Sequence, residues 1–235
     1  MSAPDILIVG AGIVGAACAE ACARAGFRVL VVDRGPIGGG TTAAGMGHLV
    51  VMDDSEAQFA LTSYSVRLWQ ERAPQLPADV EFDPCGTLWV AADDEEMAEV
   101  HRKHAFYSAR GIATEVLDAP ALARAEPELR PGLAGGLRVP GDAVLYPPCA
   151  ARHLLESAQR LNATLRLDAS VTQLDRDGVR LADGTRLAAG TVVNAAGCWS
   201  PPSPPAFPSA NAKATWSSPT ACPASSIINW SNSAT

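Results

Sequence analysis

Apolar residues fall into two kinds of run along this 235-residue chain, and the change from one kind to the other marks out its elements. Ile6, Leu7, Ile8 and Val9 form an unbroken run with a β-branched bias, the pattern of a strand buried on both faces. The run ends on glycines, and 13–25 then reads as a helix whose inner faces are nearly all Ala and Cys, closed by Gly26. A second strand is predicted at 28–32. Phe59, Leu61, Tyr64, Val66, Leu68 and Trp69 predict an amphipathic helix, with Asp53-Asp54-Ser55 ahead of it as its cap. Strands are predicted at 80–82 and 86–91, a helix over 93–110 closed by Gly111, a strand at 114–117 and a helix at 120–125. After Pro147-Pro148 a helix is predicted over 150–161. The runs 163–167, 171–176, 179–181 and 186–193 alternate and are broken by Asp-Gly turns, so they read as a strand followed by a meander.

The first three elements carry a chemical pattern as well. Gly10, Gly12 and Gly15 give G-x-G-x-x-G between strand and helix, the arrangement that permits a tight turn, backbone approach to a pyrophosphate and close packing of helix on strand. The N-terminal amides of the helix and its dipole favour a phosphate there. Asp33 ends the second strand about 20 residues later, where a carboxylate accepts ribose hydroxyls and repels a 2′-phosphate. A dinucleotide of the FAD or NAD kind is implied, and NADP is not. The run after Asp33, R-G-P-I-G-G-G-T-T-A-A-G-M-G-H-L, is rich enough in Gly, Thr and Ala to bring backbone amides and small hydroxyls onto a flat or anionic ligand.

Composition narrows the classes further. A formal net charge of −7 and a pI near 5.1 speak against nucleic-acid binding. The apolar N-terminus lacks the basic start of a signal peptide, and no run approaches the ~20 apolar residues of a membrane span, so a cytoplasmic protein is expected. Six cysteines, with no C-x-x-C pair, read as small buried residues of a reducing compartment; Cys18 and Cys22, one helical turn apart, read as packing, not as a metal pair. His101 and His104 read as a solvated face among Glu99, Arg102 and Lys103, and Asp142 as a turn residue after Gly141. No metal site is expected. Trp89 is equally readable as a pocket wall or a core aromatic.

The fingerprint, Asp33-Arg34 and T-T-A-A-G-M together resemble the D-amino-acid oxidase and glycine oxidase family of FAD-dependent oxidoreductases, over about residues 5 to 200. The resemblance implies an α/β fold: a Rossmann-like FAD-binding domain made of 1–78 and 146–200, with 79–145 as part of an incomplete antiparallel substrate-domain sheet. It implies that Ile13 and Val14 face the pyrophosphate, that Asp33 and Arg34 sit at the adenosine, and that Thr41, Thr42, Ala44, Gly45 and Met46 run toward the flavin. It places Val171 at the adenine, and Ala196, Gly197 and Trp199 at a second cofactor contact on a distant strand, which a simple NAD domain does not need. Met46 and His48 are the substrate-side candidates, Met46-Gly47-His48 replacing the commoner Met-Leu. The implied activity is oxidation of the CH–NH or CH–NH2 group of glycine, a D-amino acid or D-hydroxyproline with FAD as cofactor. An NAD dehydrogenase and a non-catalytic dinucleotide-binding module are the alternatives, and homo- or hetero-oligomerisation of the intact parent is left open.

From Pro201 the chain changes to a Pro-, Ser- and Ala-dominated string in which only Lys213 is charged and no hydrophobic period persists, the composition of a segment that packs no core. Read one nucleotide earlier, codons consistent with this string, Trp216 and Trp230 included, encode a basic Lys-Gly turn and a β-rich segment similar to the family. The expectation is therefore a frameshifted, truncated and inactive product. Sequencing the gene through the codons for Cys198 to Pro205 is expected to reveal a single-base insertion or deletion against a longer open frame; a shifted phase without a long open frame would make the tail genuine.

Overall fold

The computed structural model describes residues 3–201, so the expectations for the rest of the tail lie outside the described residues. In chain order the elements begin with β1 (Ile6–Val9), α1 (Ile13–Arg24), β2 (Val29–Val32) and α2 (Thr41–Ala44). They continue with β3 (His48–Leu49), α3 (Glu56–Arg72), β4 (Thr87–Ala91), α4 (Asp94–Ser108), β5 (Glu115–Asp118), α5 (Ala119–Ala125), β6 (Gly135–Val139) and β7 (Ala143–Val144). The chain returns through α6 (Pro147–Arg160), β8 (Thr164–Arg166), β9 (Val171–Asp175), β10 (Gly178–Leu181), β11 (Arg186–Ala188) and β12 (Thr191–Asn194). Contacts divide it into two units, one running to Gly45 and resuming at Pro147, the other Met46–Tyr146.

The first unit is built on a parallel sheet of order β12-β1-β2-β8. Leu7, Ile8, Val31 and Val32 are almost wholly buried, as expected for strands covered on both faces. On α1 the buried positions are Gly15, Ala16, Ala19, Glu20 and Ala23, residues small enough to let α6 lie close along it through Ala150, Ala151, Leu154, Leu155 and Ala158. Glu20 is the charged exception, 1% exposed and paired with Arg24 at 3.0 Å. The meander β9-β10-β11 lays Leu174, Val179 and Leu181 against Leu7, Val9 and Val32. The run 186–193, which the alternation predicts as one strand, is two: β11 closes the meander, and after Ala189-Gly190 β12 joins the parallel sheet. Alternation alone cannot register a change of sheet, because both strands keep the period of two.

The second unit holds an antiparallel sheet of order β4-β6-β5 and a short antiparallel pair, β3 with β7. Its core gathers Val51, Val66, Ala91, Val100, Tyr107, Leu137 and Val139, with Phe59 edge-on to Phe106 at 5.4 Å. The sequence puts the first crossing between domains after residue 78, but β3 and α3 belong to this unit, because β3 pairs with β7 and Val66 of α3 enters its core. No strand forms at 80–82: residues 78–80 make a 3-10 turn, Glu81 adopts a left-handed conformation, and only Asp83 bridges to Val144. The amphipathic pattern of α3 is also only partly realised. Phe59 and Val66 turn toward the core, whereas Leu61, Tyr64 and Leu68, which fall on another face at spacings of three and four, stay exposed, Leu61 at 66%. Among the described residues, no helix is long and apolar enough to cross a membrane.

Ser55 alone caps α3, accepting from the Gln58 amide at 3.2 Å, while Asp53 does something else. Its side chain is 4% exposed and receives Lys103, Arg102 and the Tyr107 hydroxyl, all from α4. Burial is the largest influence on its carboxyl and pushes the pKa up, but the hydrogen bonds from Lys103 and Arg102 prevail and hold it below the ordinary carboxylate range. The same burial, with the Asp53 charge, pushes the Tyr107 phenol well above its usual value. Because the folded pKa of Asp53 is depressed, its contribution is complete above the unfolded value near 4 and is lost as pH falls through the folded one. Asp53→Asn is expected to cost ~3 kcal/mol at neutral pH by leaving two cations short of their partner, with the gap to wild type narrowing below about pH 4 in urea titrations.

Candidate cofactor site

The site grows from the end of β1. Gly10 leaves the strand at φ +113°, donates to the Val32 carbonyl at 2.8 Å, and passes so close to Ala195 that a Cβ would sit inside the envelope of that carbonyl. Gly15 in turn lies against the Gly10 carbonyl, so α1 can start directly above the turn. A Cβ on Gly12 would come within 2.9 Å of the Thr42 hydroxyl oxygen, which accepts from the Ile13 amide at 3.0 Å. Gly12 has no side chain of its own to cap α1, and Thr42, arriving from α2, serves instead.

Asp33 closes the opposite wall. Its Oδ2 accepts from the Ala11 amide at 2.6 Å and its Oδ1 from the Gly35 amide at 2.8 Å, which fixes the carboxylate at the head of the glycine turn and leaves each oxygen further acceptor capacity. The Asp33 backbone is held to β8 and its exit by bonds to Arg166 and Ala169. Beside it, the Arg34 guanidinium lies over the Trp199 ring, 4.1 Å from its centroid, and that ring rests against Gly40, where a Cβ would collide with it.

Together these segments enclose a cleft of about 350 Å3 at the C-terminal ends of the parallel strands, the position where open α/β sheets bind ligands. Of the residues anticipated from sequence, Gly10, Gly12, Asp33, Arg34, Thr41, Thr42, Val171, Ala196, Gly197 and Trp199 line it. Ile13, Val14, Gly15, Ala44 and Gly45 belong to the same unit but are not among the lining residues; the Ile13 amide is taken by Thr42, and Val14 projects outward. Met46 and His48 lie in the other unit, Met46 exposed and His48 on β3. Gly35, Pro36 and Ala195, which lie in or beside the segments anticipated from sequence, line the cleft too, and so do Ala169 and Ser170, which sequence pattern does not single out. These last two follow the C-terminal end of β8 in the parallel sheet, so strand order is the signal that would find them.

Asp142 is 1% exposed, with Oδ1 accepting from the Val51 amide and Oδ2 without a hydrogen-bond partner among the described residues. Burial raises its pKa, against the opposing pull of Thr87, Val51 and His48. It is thus a buried tie to the segment after β3 as well as a turn residue. His104 bonds Thr114 at 2.7 Å, and no group of His, Cys, Asp and Glu among the described residues could hold a metal ion. Cys18 and Cys22 are both free; burial and the neighbouring Cys18 raise the Cys22 pKa.

With this geometry in place, comparison with known proteins identifies the class. The profile of the DAO family, FAD-dependent oxidoreductases, matches residues 5–215, and the chain belongs to that family. It is 28% identical over 210 residues to the glycine oxidase of Geobacillus kaustophilus, covering 83% of this chain and 55% of the relative. The crystal structure of glycine oxidase from Geobacillus kaustophilus superposes with a TM-score of 0.77 at 27% identity, over 85% of this chain and 57% of that one. The chain is also 28% identical over 209 residues to one component of the anaerobic glycerol-3-phosphate dehydrogenase of Escherichia coli, covering 83% of this chain and 38% of that one. L-proline dehydrogenase from P. horikoshii superposes with a TM-score of 0.74 at 25% identity, over 84% of this chain and 54% of the other. The chain spans about half the length of the glycine oxidases it matches.

Replacing Thr42 with Val removes the acceptor for the Ile13 amide while keeping the shape of the side chain. A loss of about 1 kcal/mol of stability is expected in thermal melts, with Thr42→Ser close to wild type.

Proposed function

We propose that this chain forms the cofactor-holding part of an FAD-dependent oxidoreductase that oxidises the C–N bond of a small amino acid such as glycine, a D-amino acid or D-hydroxyproline. The observation that carries the reading is the cleft itself, where the glycine turn after β1 and the Ala196-Gly197 segment after β12 face one space together with Asp33. The residues present fit such a cofactor: a ribose finds acceptors on Asp33, and the side-chain-free edges of Gly10, Gly12 and Gly40 leave room for a diphosphate.

FAD, when bound, supplies the hydride acceptor, so the protein's share of the chemistry is orientation and electrostatics. Thr42 accepts from the Ile13 amide and still has its own hydroxyl proton to donate, so in this reading a phosphate oxygen is met through Thr42 and not by that amide directly. Thr41 stands beside it, Val171 receives the adenine, and Met46 and His48 remain the substrate-side candidates. Glycine oxidase and L-proline dehydrogenase relatives support an amino-acid substrate. The equal identity to a glycerol-3-phosphate dehydrogenase component favours a second reading, in which the C–O bond of a small phosphorylated alcohol is oxidised in the same way. The free cysteines suit a reducing compartment, and we place the protein in the cytoplasm.

An anaerobic screen with the frame-restored protein tests both readings. The protein is expected to purify yellow and to bleach with at least one amino acid; bleaching only with glycerol phosphate would establish the second reading. A colourless protein stabilised against heat only by NAD would overturn both.

A further inference from the structure

We propose that the Met46–Tyr146 unit carries a binding site for a small organic amine, whose ammonium group meets the buried carboxylate of Asp142 while its apolar body lies between α3 and the end of β6. The unit holds a cavity of about 520 Å3, within the roughly 300–1,000 Å3 of small-molecule sites. None of its lining residues lines the cofactor cleft, and Met46 and His48 are not among them. Its walls come from the segment after β3, one face of α3, the turn after α4, and the end of β6 with the turn that follows. Val51, Val66, Ile112 and Val139 supply an apolar lining, and Tyr64 and Arg67 stand exposed on the α3 side.

The polar groups on the wall are mainly acceptors. Asp142 gives its Oδ1 to the Val51 amide at 3.1 Å, and its Oδ2 has no hydrogen-bond partner among the described residues. A carboxylate oxygen buried in that state is costly until a donor reaches it. The Ser63 hydroxyl spends its one proton on the Phe59 carbonyl at 2.6 Å, and Gln70 donates its amide nitrogen to the Gly141 carbonyl at 2.8 Å, so what both chiefly offer a guest is oxygen lone pairs. Arg67, the cation among the lining residues, is turned to Glu71 at 3.4 Å and lies over the Tyr64 ring, 5.1 Å from its centroid. Thr87, Val51 and His48 oppose the burial of Asp142 only in part, since its pKa is still raised. An ammonium group supplies what is missing, three donors and a positive charge that holds the carboxylate ionised. An alcohol brings one donor and no charge, and a carboxylate ligand brings only more acceptors.

The test is titration of the full 235-residue chain with n-pentylamine, 1-pentanol and pentanoate, followed by saturation-transfer NMR, with circular dichroism confirming the fold of each variant. The amine is expected to bind, 1-pentanol to bind about 10-fold more weakly or worse, and pentanoate not to bind detectably. Asp142→Asn keeps an oxygen for the Val51 amide but loses the charge; it should weaken the amine about 10- to 100-fold and leave 1-pentanol little changed. Ser63→Phe fills the cavity while leaving Asp142 in place, and should abolish binding of both. If Asp142→Asn fails to fold, Ser63→Phe and the ranking of the three probes on the wild-type chain decide the matter. A wild-type chain that binds none of the three, that binds 1-pentanol or pentanoate as tightly as the amine, or that keeps its amine affinity in either variant would overturn the site.

Discussion

Everything in the first unit depends on one close approach of backbone to backbone. The end of β1 and the end of β12 meet at Gly10 and Ala195 with no room for a methyl group, and Gly15 brings α1 onto the same point. That crowding decides where the helix begins, and hence where its unbonded amides gather. It also decides the location of the cleft, since the gap opens where the parallel strands end and the chain departs to either side. Gly10 and Gly15 of the fingerprint thus act on the fold itself, by permitting that approach.

Much of this was legible from residue order. The β1–α1–β2 unit, the acid at its end and the small-residue face of α1 need only local pattern and spacing, and the structure realises them. What was not legible came from pairing between distant segments. The division of 186–193 into two strands depends on which sheet each half joins, and the placement of 48–72 depends on β3 finding β7. Asp53 illustrates the same limit for a side chain. Its local context reads as a helix cap, yet its partners, Arg102 and Lys103, stand about fifty positions away on α4. Likewise the Ile13 amide looks free in sequence, and only the fold brings Thr42 to it.

The two units also divide the chemistry of the residues. Those lining the cleft all come from the unit that runs to Gly45 and resumes at Pro147, whereas Met46 and His48 belong to the other. The charged network of Asp53, Arg102 and Lys103 and the buried Asp142 hold the second unit to its own core. Family membership reaches across both units, while the relatives include enzymes of more than one substrate type. The cleft is thus confined to the first unit, while the family match extends over both.

The pairing of β3 with β7 has a kinetic meaning. These strands are the first and last elements of the Met46–Tyr146 unit, and Leu145 bonds back to Gly47 at 3.0 Å. An excursion of roughly a hundred residues would otherwise impose a loop-closure entropy on the parallel sheet, whose strands β2 and β8 lie on either side of it. Once the inserted unit has tied its own two ends together, the flanking chain experiences it as a short connection. The order of assembly this favours is the middle of the chain before its margins, with β2 and β8 pairing once the segment between them has folded.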